Sequence, residues 1–167
     1  AGLQPSMIAF GGNPSSGTAA TEFWNGTSWT EVADLATPRW SMAGIGSSTA
    51  GLAGGGNTPP ITAVTEEFTA PSVFTKINLG QVYYNSTSNA FKVTKQLAPT
   101  GVWSSGGNVN TARELLGGWG TDNTAAGVAG GNTAPGPSTA NTELYNGSAW
   151  TEVNNLNQAR AGLGATG

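Results

Sequence analysis

The sequence predicts an all-β fold made of repeated four-stranded units, and three observations carry that prediction. The first is self-similarity. Thr21-Glu22-Phe23-Trp24-Asn25-Gly26, Trp29-Thr30-Glu31-Val32 and Arg39 return as Thr142-Glu143-Leu144-Tyr145-Asn146-Gly147, Trp150-Thr151-Glu152-Val153 and Arg160. The second is punctuation: Gly-Gly-Asn occurs at Gly11-Gly12-Asn13, Gly55-Gly56-Asn57 and Gly130-Gly131-Asn132, at intervals of 44 and 75 residues. The third is composition. Glycine fills 26 of 167 positions while charged residues make up only 9%, a balance that disfavours surface helices, whose wet face normally carries Glu, Lys and Arg.

Each unit opens on a short run of small and apolar residues before its Gly-Gly mark: Met7-Ile8-Ala9-Phe10, Ala50-Gly51-Leu52-Ala53 and Ala126-Gly127-Val128-Ala129. Such a run reads as a buried strand ending where a side chain is excluded. A loop rich in Pro, Ser and Thr leads to a second strand, Ala20 to Trp24, Val64 to Phe68 or Asn141 to Tyr145. Asn25-Gly26 and Asn146-Gly147 then supply a hairpin turn, and the third strand carries Trp29 or Trp150. A connection containing Leu and an arginine (Arg39, Arg113, Arg160) precedes a fourth strand such as Ser41-Met42-Ala43-Gly44-Ile45-Gly46. Four short strands in a period of about 44 to 50 residues correspond to one blade of a β-propeller.

The second unit is interrupted. Its strand Glu66-Glu67-Phe68-Thr69-Ala70 runs into Pro71 rather than Asn-Gly, and the pattern resumes at Trp103. Between them, Gln81-Val82-Tyr83-Tyr84 and Ala90-Phe91-Lys92-Val93-Thr94 flank a polar turn and predict an inserted β-hairpin. The units are therefore 1–54, 55–129 with the insert at 71–96, and an incomplete 130–167. After Arg160 the chain reaches Gly167 just where an apolar strand and Gly-Gly should follow, and it begins with that piece. Joining the ends gives three blade equivalents, below the roughly four of a closed propeller. The expectation is a window of a larger propeller, or a ring completed by other copies.

With 6 Lys+Arg against 9 Asp+Glu and no basic tract, the chain offers no footprint for a phosphate backbone, so no nucleic-acid partner is expected. The absence of Cys and His removes thiolate and imidazole chemistry and the commonest zinc ligands. No apolar stretch is long enough for a membrane helix, so no membrane insertion is expected. No metal or cofactor is expected: Asp34 and Asp122-Asn123 lack the spacing of a calcium loop, and the glycine runs precede neither Lys nor helix. Glu66 and Glu67 are adjacent on a strand, so they face opposite ways and cannot flank one glycosidic bond.

Gly11-Gly12, Glu22, Phe23, Trp24, Trp29, Leu35 and Arg39, returning as Gly130-Gly131, Glu143, Leu144, Tyr145, Trp150, Leu156 and Arg160, resemble the kelch repeat. The wording Asn-Gly-Thr/Ser-x-Trp-Thr-Glu-Val and the hairpin insert resemble propeller regions of tailed-bacteriophage virion and tail-fibre proteins. That resemblance implies a non-enzymatic virion-surface or tail-fibre segment, extracellular, displaying loops for attachment to a host receptor such as a surface glycan. Its partners would be other virion proteins or copies of itself. The alternative is a kelch-type protein interaction scaffold, with a propeller enzyme behind it.

Residues recurring with the unit are expected to be structural: Gly11, Gly12, Glu22, Trp29, Arg39, Gly55, Gly56, Glu66, Trp103, Arg113, Gly130, Gly131, Glu143, Trp150 and Arg160. The tryptophans should fill gaps between units, and the arginines should pair with the glutamates, since a buried guanidinium needs a partner. The aromatics that do not recur, Trp24, Trp40 and Trp119, together with Tyr83 and Tyr84 of the insert, are the candidate ligand-binding residues. No catalytic residue is expected.

Overall fold

The computed structural model describes residues 6–70, 82–93, 101–133 and 136–167. They form an all-β fold of four small antiparallel sheets. The first sheet has three strands, β1 (Met7–Phe10), β2 (Thr21–Trp24) and β3 (Trp29–Glu31), in that order. The second contains β4 (Ala43–Gly46), β5 (Ala50–Gly54), β6 (Thr65–Thr69) and β9 (Val102–Ser105). Between β6 and β9 the chain forms a separate hairpin of β7 (Val82–Asn85) and β8 (Ala90–Val93). The third large sheet is β10 (Gly117–Asp122), β11 (Ala125–Ala129), β12 (Thr142–Tyr145) and β13 (Trp150–Val153). Among the described residues closure of these sheets into a ring is not seen. Among the described residues no helix is long and apolar enough to cross a membrane.

Local chemistry sets the turns. Asn25 Oδ1 accepts hydrogen bonds from the Thr27 and Ser28 amides at 2.9 and 3.0 Å. Asn85 and Asn146 do the same for the two amides two and three residues on. These asparagines thereby cap hairpin turns with their own side chains. At Gly55 and Gly56, φ is +65° and +105°, and a Cβ would come within 2.7 Å of the Arg113 carbonyl and 2.8 Å of the Trp40 carbonyl. Only glycine meets both demands.

The core lies between the second and third sheets, where Ala43, Ile45, Leu52, Leu116, Val128 and Trp150 form one buried cluster. In β4 the alternation places Ala43 and Ile45 inward and the two glycines outward. Small residues bring the sheets close: a Cβ on Gly118 of β10 would fall 2.9 Å from Ala43. The side chains of β1 reach the second sheet at glycines too, Phe10 over Gly44 and Ile8 over Gly51. The run Met7–Phe10 was expected to be a buried strand; it is half-exposed instead. The reason is its place at the sheet edge, since no strand in the described residues occupies the position that β4 and β10 take beside β5 and β11.

Candidate functional site

The recurring residues form a linkage between sheets. Trp103 of β9 donates its indole N–H to Thr21 Oγ1 in the preceding sheet at 3.2 Å. Trp150 of β13 donates to Thr65 Oγ1 in its preceding sheet at 3.1 Å and to the Gly107 carbonyl at 2.9 Å. Trp29 has no preceding sheet among the described residues and is 44% exposed, its ring tilted at 45° against that of Trp24 with centroids 5.4 Å apart. The threonines were not singled out from sequence. Their signal was present, because Thr21, Thr65 and Thr142 each stand directly before the recurring glutamate.

The arginines lock each sheet to the strand that heads it. Arg39, fully buried, donates to Val64 O at 2.8 Å and pairs with Glu66. Glu66 also accepts from the Ala36 amide at 2.7 Å. Burial pushes the Arg39 guanidinium below its ordinary value, and Glu66 opposes that shift. Arg113 repeats the pattern on Gly130 O, Asn141 O and Glu143, with Asn110 N donating to the same carboxylate. Each arginine therefore pairs with the glutamate that follows it in the chain. That leaves Glu22 and Arg160, both exposed, without an ion-pair partner among the described residues.

Where Arg39 and Arg113 lead into β4 and β10, the residues just after them do not recur. Trp40 forms a backbone bridge with Asn57, and its ring lies over Gly17, where a Cβ would come within 2.8 Å. Glu114 bridges Asn132 through the backbone, and its carboxylate accepts a hydrogen bond from Asn57 Nδ2 at 3.1 Å. Asn57 Oδ1 is buried and has no hydrogen-bond partner among the described residues. Ser41 and Leu115, the next residues, hold φ of +54° and +55°, a left-handed backbone uncommon outside glycine and typical of sites held under strain. The Asn57 amide and the Glu114 carboxylate thus meet directly, with the Trp40 backbone bridged to Asn57 and its half-buried indole turned over Gly17. Asn57 and Glu114 were missed in the sequence because polar residues beside Gly-Gly and Arg read as turn chemistry.

The other aromatic candidates lie apart. Trp24 is half-buried against Trp29. Trp119 of β10 lies over Gly127, where a Cβ would meet its ring at 2.3 Å. Tyr84 sits on the hairpin beside Phe91 at 5.3 Å, both exposed, and its hydroxyl bonds to Asn89. Tyr83 is its neighbour in β7, paired with Lys92. Elsewhere Tyr145 donates its hydroxyl to Glu67 and accepts from the Gly107 amide at 3.2 Å. Desolvation, then the bond to Glu67, pushes this phenol up to about 12. The described residues hold no cluster of acidic side chains able to bind a metal.

No family model matches the sequence, and neither does any curated protein. Among solved structures the chain is similar to that of YjhT, with a TM-score of 0.60 and 13% identity over 89% of this chain and 42% of that one. The chain thus spans less than half of YjhT, and at this identity the likeness is one of fold. It corrects the expected kinship. The structural likeness found is to YjhT and not to a kelch-type tail-fibre or other virion protein of a bacteriophage. The non-enzymatic virion-surface role, host attachment and the interaction-scaffold alternative rested on that kinship and fall with it. So does the expectation that the chain is not an enzyme, which the missing His and Cys alone do not carry.

Proposed function

We propose that the three large sheets are blades of a β-propeller and that the chain binds a small, neutral, hydroxyl-rich molecule at the rim formed by Trp40, Asn57 and Glu114. The observation that carries this reading is Asn57 Oδ1, a buried acceptor with no partner among the described residues, beside a carboxylate it touches only through its own amide nitrogen. A buried polar atom left unpaired costs about 1–3 kcal/mol, so a ligand hydroxyl donating to it recovers that loss. Glu114 keeps acceptor capacity for a second hydroxyl, and Trp40 offers an apolar face of the kind a sugar ring covers. Rims of this fold, built from loops on a rigid sheet scaffold, are where binding residues concentrate.

Saturation-transfer NMR and calorimetry against a panel of monosaccharides and disaccharides test the reading. Asn57→Ala and Glu114→Gln should each weaken the best ligand at least tenfold, and Trp40→Ala should abolish the transfer signal. Binding that survives all three substitutions, or no binding across the panel, overturns it.

A further inference from the structure

Three loops leave the Gly-Gly marks in the same way, and they differ at one position. In each, a threonine returns its amide to the carbonyl of the second glycine: Thr18 to Gly12 at 2.9 Å, Thr62 to Gly56 at 2.8 Å and Thr139 to Gly131 at 2.8 Å. The residues just before those threonines, Gly17, Ile61 and Ser138, are therefore equivalent, although the loops differ in length.

Each of the three is closed off differently. Gly17 is covered by the Trp40 ring. Ser138 forms a backbone bridge with Asn132 and donates its hydroxyl to Asn132 Oδ1 at 3.0 Å. Ile61 forms the same bridge with Asn57 but has no hydroxyl to give, and Asn57 Oδ1 is left without a donor among the described residues. Residues opposed across an antiparallel bridge carry their side chains on one face, with Cβ atoms about 4.5–5.5 Å apart, so the half-buried Ile61 side chain stands beside the Asn57 amide. The carboxylate is peculiar to this loop as well. Glu114, after Arg113, reaches back to Asn57 Nδ2 at 3.1 Å, whereas the residue after Arg160 is Ala161. Among the described residues, only the loop 57–61 combines an open acceptor, a carboxylate and an aliphatic side chain.

We infer that Ile61 sets the specificity of this site for a 6-deoxyhexose: a ligand hydroxyl takes the place that Ser138 Oγ holds against Asn132, and the methyl group of the sugar lies on Ile61. The inference rests on the sugar-binding reading of the rim. The neighbouring loop shows which donor suits the acceptor, an aliphatic hydroxyl at 3.0 Å, and Ile61 decides what must surround that hydroxyl. Asn57 Oδ1 is closed to solvent, so the hydroxyl enters as the Ile61 side chain turns aside and settles against the ligand. A methyl group gains from that contact by leaving water. A hexose with an exocyclic hydroxyl would instead bury it against an aliphatic side chain with no partner, which weakens binding. A second hydroxyl of the same sugar finds Glu114, whose carboxylate has acceptor sites beyond the one that Asn57 fills.

Calorimetry with L-fucose against L-galactose and with L-rhamnose against L-mannose, pairs that differ only in the exocyclic hydroxyl, tests the specificity. In at least one pair the deoxy sugar should bind about tenfold more tightly. Ile61→Ser should weaken that binding by about tenfold or more, because its own hydroxyl occupies the acceptor. Ile61→Ala should keep binding while narrowing the preference to below about threefold, since the apolar contact is lost. A ligand-free measurement checks the geometry: Ile61→Ser should melt about 2–4 °C above Ile61→Ala, as one added hydrogen bond does in a domain of this size. Equal binding within both pairs, Ile61→Ser binding as the parent does, or Ile61→Ser melting no higher than Ile61→Ala overturns the inference while sugar binding stands. No binding by any of these sugars, with Ile61→Ser still melting above Ile61→Ala, overturns the sugar-binding reading and the specificity with it.

Discussion

Replacing the Arg113–Glu143 pair by apolar residues should destabilise far less than the two single substitutions together. Arg113 is fully buried and Glu143 is 1% exposed. Arg113→Met strands a buried carboxylate and Glu143→Leu strands a buried guanidinium, each costing about 3–5 kcal/mol. The double variant leaves no charge behind. It orphans the Gly130 carbonyl and the Asn110 amide, at about 1–3 kcal/mol each, while the Asn141 carbonyl keeps the Gly130 amide, so its loss should be about 2–6 kcal/mol. Urea denaturation of the four proteins measures the cycle. A double variant whose loss equals the summed single losses to within about 0.5 kcal/mol would refute the claim that the pair acts as one buried unit. If both single variants are unfolded in water, a folded double variant gives the same answer.

Tyr145 should make the protein sensitive to alkali. Its phenol is raised in the folded state to about 12 from an ordinary value near 10, so the folded state holds the proton longer than the unfolded one. Its contribution is complete below about pH 10 and is lost as pH rises towards 12; the melting temperature of Tyr145→Phe should fall less steeply than that of the parent over that window. Gly127→Ala should drive a methyl into the Trp119 ring, destabilising by about 1–3 kcal/mol and shifting its fluorescence; an unchanged melt would place Trp119 elsewhere. Leu115→Gly should relieve the left-handed backbone at a half-exposed side chain and stabilise by about 0.5–1 kcal/mol. Phe91→Ser, at a side chain 75% exposed on the hairpin, should change stability by no more than about 0.5 kcal/mol.

Much of the architecture is legible in the sequence because strands here are short and bounded by residues with a fixed local role. Asn25 and Asn146 announce their turns, and the alternation in Val82–Asn85 and Ala90–Val93 announces the hairpin β7–β8. What the sequence does not announce is which unit a contact joins. Arg39 lies seventeen residues after Glu22 but pairs with Glu66, across a sheet that had not yet begun. Trp29 and Trp150 read alike, yet one is 44% and the other 6% exposed, because burial depends on a neighbouring sheet and not on the residue's own strand. The rim site was least legible. Asn57 and Glu114 lie 57 positions apart, and only the meeting of two sheets brings the amide onto the carboxylate. The resemblance to virion proteins misled for a related reason: the wording of turns and glycines reports how strands are joined, and many functions share one such scaffold.

Hydrogen exchange at the six indole N–H groups, followed by NMR of the nitrogen-labelled protein, tests most directly that the recurring tryptophans link one sheet to the next. Trp150, with two acceptors, and Trp103, with Thr21, should exchange slowly. Trp29, 44% exposed and without an acceptor among the described residues, should exchange quickly. An indole of Trp150 that exchanges as fast as a solvent-exposed one would contradict the linkage itself.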